Sequence, residues 1–127
     1  MRSKWMSVCA LVLILGGCGH SETKVTSGKP VSYWVKSLQT GNAKHRCKAV
    51  ARLGNVWTTD PSVLPVVLKV LKDKDPTVRC EAILATVKNG RAARAAIPVL
   101  AELQQNDPNA RVRSYAARAK AKLQGGT

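Results

Sequence analysis

The sequence predicts an all-α fold, an α-solenoid of about three helical hairpins, on three observations. The chain repeats itself at intervals of 33 or 34 residues. Each copy carries an Asn or Asp, an Arg four residues on and an Ala three beyond that, at Asn42-Arg46-Ala49, Asp75-Arg79-Ala82 and Asn109-Arg113-Ala116. Ahead of each stands a second apolar segment with helical spacing. Hairpins of this length cannot bury their own apolar stripes and become stable by stacking.

The elements follow in chain order. Residues 1–17 read as an export leader, with basic Arg2 and Lys4, an apolar run from Met6 to Leu15, and small residues before Cys18. The apolar run, at about ten residues, is short of the roughly 20 that a spanning helix needs. Leu15-Gly16-Gly17-Cys18 resembles the lipobox of bacterial lipoproteins. That resemblance implies cleavage before Cys18, acyl chains on its sulfur, and a place in the bacterial cell envelope. By the same resemblance, to the sorting rule of that family, Gly19 rather than Asp after the cysteine implies the outer membrane, the periplasmic face of the inner membrane being the other address. The leader takes two cations and no acid with it, so a formal charge of +14 becomes +12. Residues 18–29 are polar and without period, as in a flexible tether.

One domain is expected over 30–124, with repeats at about 30–57, 61–89 and 92–124. The first helix of each repeat covers Pro30–Leu38, Ser62–Leu71 and Ala95–Leu103. Pro65 and Pro98 align, and both belong in a first helical turn, where a missing N–H costs little. The second helices start at Asn42, Asp75 and Asn109, whose side chains accept from free N–H groups as N-caps. Ala49, Ala82 and Ala116 keep one helix face thin for close approach. Thr40-Gly41 and Lys72-Asp73-Lys74 turn the chain within a repeat, and Thr58–Pro61 and Asn89–Arg91 stop it between repeats.

Asp75-Pro-Thr-Val-Arg-Cys-Glu-Ala82, Asn109-Ala-Arg-Val-Arg-Ser-Tyr-Ala116 and Leu53-Gly-Asn-Val56 resemble HEAT-like repeats of the subtype labelled PBS-lyase HEAT-like. The first copy departs from the pattern, with His45 in place of Val and no Asp-Pro ahead of it. The resemblance implies a stack whose second helices line the inner side. It also implies that Arg46, Arg79 and Arg113 tie to acidic or carbonyl groups of the adjacent repeat, as structural residues.

Trp34 aligns with Val67 and Leu100 and is expected in the core, while Trp57 falls in a turn and is expected to be partly exposed. Cys47 and Cys80 occupy equivalent places in adjacent repeats. Helix axes stand about 9 Å apart, beyond the roughly 7 Å between Cα atoms that a disulfide allows, so the two are not expected to pair.

No catalytic constellation is seated in this sequence, which therefore reads as a non-enzyme. His20 and His45 have no companions at metal-ligand spacing, and neither a phosphate loop nor a nucleophile elbow occurs. Catalytic residues, metal ligands and cofactors are all expected to be absent. Positive charge is what the surface offers. Lys44, Lys48 and Arg52 step along one helix, Lys88 ends the next, and Arg111 and Arg118 stand on the last, as candidates for one basic groove that gathers anionic partners. The reading is a lipid-anchored interaction module that binds an acidic protein or an anionic envelope polymer, and not nucleic acid. A structural protein lying on anionic lipid headgroups and a lyase-like accessory factor are the alternatives. The oligomeric state is left open.

Overall fold

A computed structural model of the chain describes residues 25–126. The leader 1–17, Cys18 and the tether as far as residue 24 lie outside the described residues. Six α-helices make three antiparallel hairpins: α1 (Val31–Thr40) with α2 (Ala43–Gly54), α3 (Val63–Val70) with α4 (Pro76–Asn89), and α5 (Ile97–Asn106) with α6 (Ala110–Gly125). The second helices α2, α4 and α6 pack side by side, and each first helix lies against them on the other side of the core.

All three N-caps form. Asn42 Oδ1 accepts from the His45 N–H at 2.9 Å, Asp75 Oδ1 from Thr77 at 2.8 Å, and Asn109 Oδ1 from Arg111 at 2.9 Å. The first repeat is thus in register with the others despite its divergent residues. Pro65 and Pro98 fall in the first turns of α3 and α5, where the helix has no hydrogen bond for them to break.

One core runs through the stack. Trp34, Val67 and Leu100 bury their side chains from the first helices, and Ala49, Ala82 and Ala116 face them from the second, the alanines with no exposed surface at all. Small residues set the helix separation. A Cβ added to Gly54 would stand 3.1 Å from the Ala85 Cβ, so glycine there admits the close approach of α2 and α4. The Asn89 side chain reaches across the same contact to the Gly54 carbonyl at 3.0 Å.

Three features differ from the sequence-based expectation. Trp57 is buried, not partly exposed. After α2 the chain curls back, with the N–H groups of Thr59 and Asp60 both donating to the Val56 carbonyl, and the indole joins the core. Helix α5 begins at Ile97 where a start at Ala95 was expected, and the stop expected at Asn89–Arg91 gives way to a 3-10 helix over Gly90–Ala96. Gly90 opens it at φ +51°, a left-handed value that favours glycine, and Ala93 and Ala96 anchor it in the core. Lastly, the end of the expected tether is folded. Val25–Thr26 (β1) pairs antiparallel with Lys29–Pro30 (β2). The Trp34 indole N–H donates to the Thr26 carbonyl at 3.1 Å, and the Thr26 hydroxyl donates to the Arg52 carbonyl at 3.4 Å. Val25–Lys29, expected within the tether, are thus tied to the helical body.

Candidate interaction surface

The three repeated arginines build a ladder along the stack. Arg46 donates from Nε and Nη2 to the two carboxylate oxygens of Asp73, at 2.8 and 2.9 Å, and from Nη1 to the Gly41 carbonyl. Arg79 repeats this one step on, with both oxygens of Asp107 at 2.8 and 2.9 Å and the Asp73 carbonyl at 2.8 Å. Each fork clamps the turn of its own hairpin to the turn of the next. Arg113 keeps the first half of the arrangement, donating from Nη1 to the carbonyls of Asp107 and Pro108. No further repeat follows among the described residues to bring it a carboxylate.

The electrostatics follow from this geometry. Its hydrogen bond to Asp73 holds the Arg46 guanidinium above its ordinary value. Burial acts to raise the Asp73 carboxyl, but hydrogen bonds from Arg46 and from the Asp75 N–H outweigh it and hold the group below the usual carboxylate range. These arginines hold the turns together, as the repeat pattern implied, and Arg46 and Arg79 are buried.

The remaining charge is divided unequally between the two helix layers. The second helices carry four cations in α2, two in α4 and five in α6, eleven in all, against one carboxylate, Glu81. The first helices carry only Lys36, Lys69 and Glu102. Arg46, Arg79 and Arg113 are taken up in the ladder, which leaves eight of these cations to project from the second-helix layer, while Lys29, Lys72, Lys74, Arg91 and Arg94 stand outside the six helices.

The six groove candidates all stand on the second helices, and two of them, Lys48 and Arg118, edge different hollows. Lys44, Lys48, Lys88, Arg111 and Arg118 are exposed, and Arg52 is half-buried. Lys48 edges a hollow between α1 and α2 that includes Tyr33, Thr40 and His45. Lys88 donates to the Asn55 side chain at the end of α2. Arg118 belongs to a second depression of about 280 Å3 between α4 and α6, with Ile83, Leu84, Val87, Tyr115, Ala119 and Lys122. Arg111 lies over the Tyr115 ring at 5.3 Å from its centroid and donates to the phenolic oxygen at 3.4 Å. The α4–α6 depression is thus a furrow between two second helices, while the hollow at Lys48 lies between the helices of one hairpin.

Sequence reasoning missed Leu84 and Tyr115. The signal was present in the repeats themselves. Leu84 occupies the position that holds Ala51 in the first copy and Arg118 in the third, and Tyr115 the position of Lys48 and Glu81. Leu84 is exposed and fills no packing role shared by the copies, whereas Tyr115 is partly buried against the core.

Among the described residues no group of three or more His, Cys, Asp or Glu side chains is placed to hold a metal ion. Cys47 and Cys80 are free thiols, and burial pushes both up from the ordinary thiol value, which lowers their reactivity. Among the described residues no helix is long and apolar enough to cross a membrane.

Stacked hairpins, capped at matching positions and clamped by an arginine ladder, define an α-helical repeat scaffold. Residues 31–121 match the family of HEAT repeats, and the chain belongs to that family. Neither a comparison with curated proteins nor one with solved structures finds a match. HEAT repeats commonly mediate protein–protein interaction, which fits a scaffold that presents a surface.

Proposed function

We propose that this protein is a lipid-anchored, non-catalytic interaction module of the bacterial cell envelope, which binds an acidic partner through the basic face of its second helices. The observation that carries the reading is the charge division between the helix layers: eight cations outside the arginine ladder and one carboxylate on α2, α4 and α6, against two cations and one carboxylate on α1, α3 and α5. A face of one sign raises the local concentration of anionic partners and speeds their encounter. The anchor rests on the lipobox-like Leu15–Cys18. Acyl chains contribute about 0.8 kcal/mol per buried methylene, so two or more of them hold a small basic body at a membrane.

The test is capture of partners from envelope extracts, by the wild-type chain and by a Lys44→Ser/Lys48→Ser/Arg118→Ser variant. Capture that weakens with added salt and in the variant is expected, since exposed charges are screened within about 10 Å at 0.1 M ionic strength. Salt-independent capture of a neutral partner contradicts the reading. A Cys18→Ser chain is expected to leave the membrane fraction. Its retention on anionic vesicles without acyl chains would favour a body that lies on lipid headgroups instead.

A further inference from the structure

The furrow between α4 and α6 differs from the rest of the basic face. Its walls are mostly apolar, from Ile83, Leu84, Val87 and the Tyr115 ring, and Arg118 and Lys122 stand along its α6 side. Leu84 is 49% exposed, one of only three large apolar side chains so exposed among the described residues. The repeat architecture does not require it, because Ala51 and Arg118 fill the same position in the neighbouring copies. Tyr115 is likewise unmatched, and Arg111 stacked on its ring holds it from one side. An exposed Leu84 that the repeat does not need, at an apolar furrow beside a helix with five cations and no acid, makes a site with two chemical demands.

We propose that this furrow receives an acidic peptide segment of a partner protein through one large apolar side chain, seated against Leu84 and Tyr115, with flanking carboxylates on Arg111, Arg118 and Lys122. Charge complementarity selects the segment and the apolar residue fixes its register. Polymers with charge but no such residue, and lipid headgroups, meet only the first demand. This rests on the acidic-partner reading above and narrows it to one furrow and one kind of ligand.

The experiment measures the affinity of two labelled peptides for the full chain by fluorescence anisotropy. One is a run of Glu and Asp with a central Leu; the other has Ser in place of that Leu. The Leu peptide is expected to bind at least about fivefold more tightly, the worth of burying part of one aliphatic side chain. Leu84→Ser, a change at an exposed position, is expected to erase that difference by weakening the Leu peptide toward the Ser peptide. Arg118→Ser is expected to weaken both peptides. Equal affinity of the two peptides, or a preference that survives Leu84→Ser, overturns the furrow while leaving the acidic-partner reading intact. Failure of both peptides to bind at low salt overturns the two together.

Discussion

Removing Arg79 should cost far more stability than removing Arg113, although the two occupy equivalent positions. The difference is worked from their partners. Arg79→Ala strips a bidentate guanidinium from Asp107, whose side chain is 3% exposed, and leaves that carboxylate buried without its counter-charge. Breaking a buried pair from one side costs about 3–5 kcal/mol. The Asp107 side chain keeps only the hydrogen bond from the Asn109 N–H. Arg46→Ala should cost less, about 2–3 kcal/mol, because Asp73 is 13% exposed and water reaches it. Arg113→Ala loses only bonds to two carbonyls, worth about 1 kcal/mol. Urea denaturation followed by far-ultraviolet circular dichroism ranks the three. Arg79→Met with Asp107→Leu completes a cycle, and the double variant should be more stable than either single one, since no charge is left stranded. Equal costs for Arg79→Ala and Arg113→Ala would refute the ladder as the clamp between repeats.

Other outcomes follow from the same contacts. Asp73 is held lower in the folded chain than unfolded, so the unfolded chain takes up the proton first and stability rises with pH in the acid range. Its increment is complete above about pH 5 and is lost as pH falls through the lowered folded value. Asp73→Asn should therefore flatten the loss of stability in an acid titration, and an unchanged slope would count against the pair. Trp57→Ala should destabilise by about 3–5 kcal/mol, the range for a buried large side chain. Leu84→Ala, at an exposed position, should cost under about 1 kcal/mol in the same denaturation assay. Alkylation of the native chain at neutral pH should be slow at both thiols and faster at half-buried Cys47 than at Cys80, as peptide mass mapping over time would show.

The repeat was readable because its signals are local. An N-cap, a proline in a first turn and an alanine on the packed face each report the conformation of a few residues, and the 33- to 34-residue interval brings three copies into agreement. Even His45, which departs from the pattern, stands on a helix that Asn42 caps in the usual way. Trp57 was misjudged because its burial depends on a turn that closes through backbone bonds to Val56, which no side-chain pattern announces. The hairpin over Val25–Pro30 was missed for a similar reason: two residues in each strand leave no alternation to detect, and its stability comes from Trp34 and the Arg52 carbonyl. The division of charge between layers was visible in part, as runs of Lys and Arg. The furrow was not, because it depends on which faces of α4 and α6 meet.

The basic face of α2, α4 and α6 is tested most directly by placing a photo-crosslinking residue in cells that produce the protein, at Lys48 or Arg118 on that face and at Lys36 or Gln105 on the opposite layer. Adducts with one acidic protein are expected from Lys48 or Arg118 and not from the other two positions. Adducts that form equally from both layers, or from Lys36 and Gln105 alone, would contradict it.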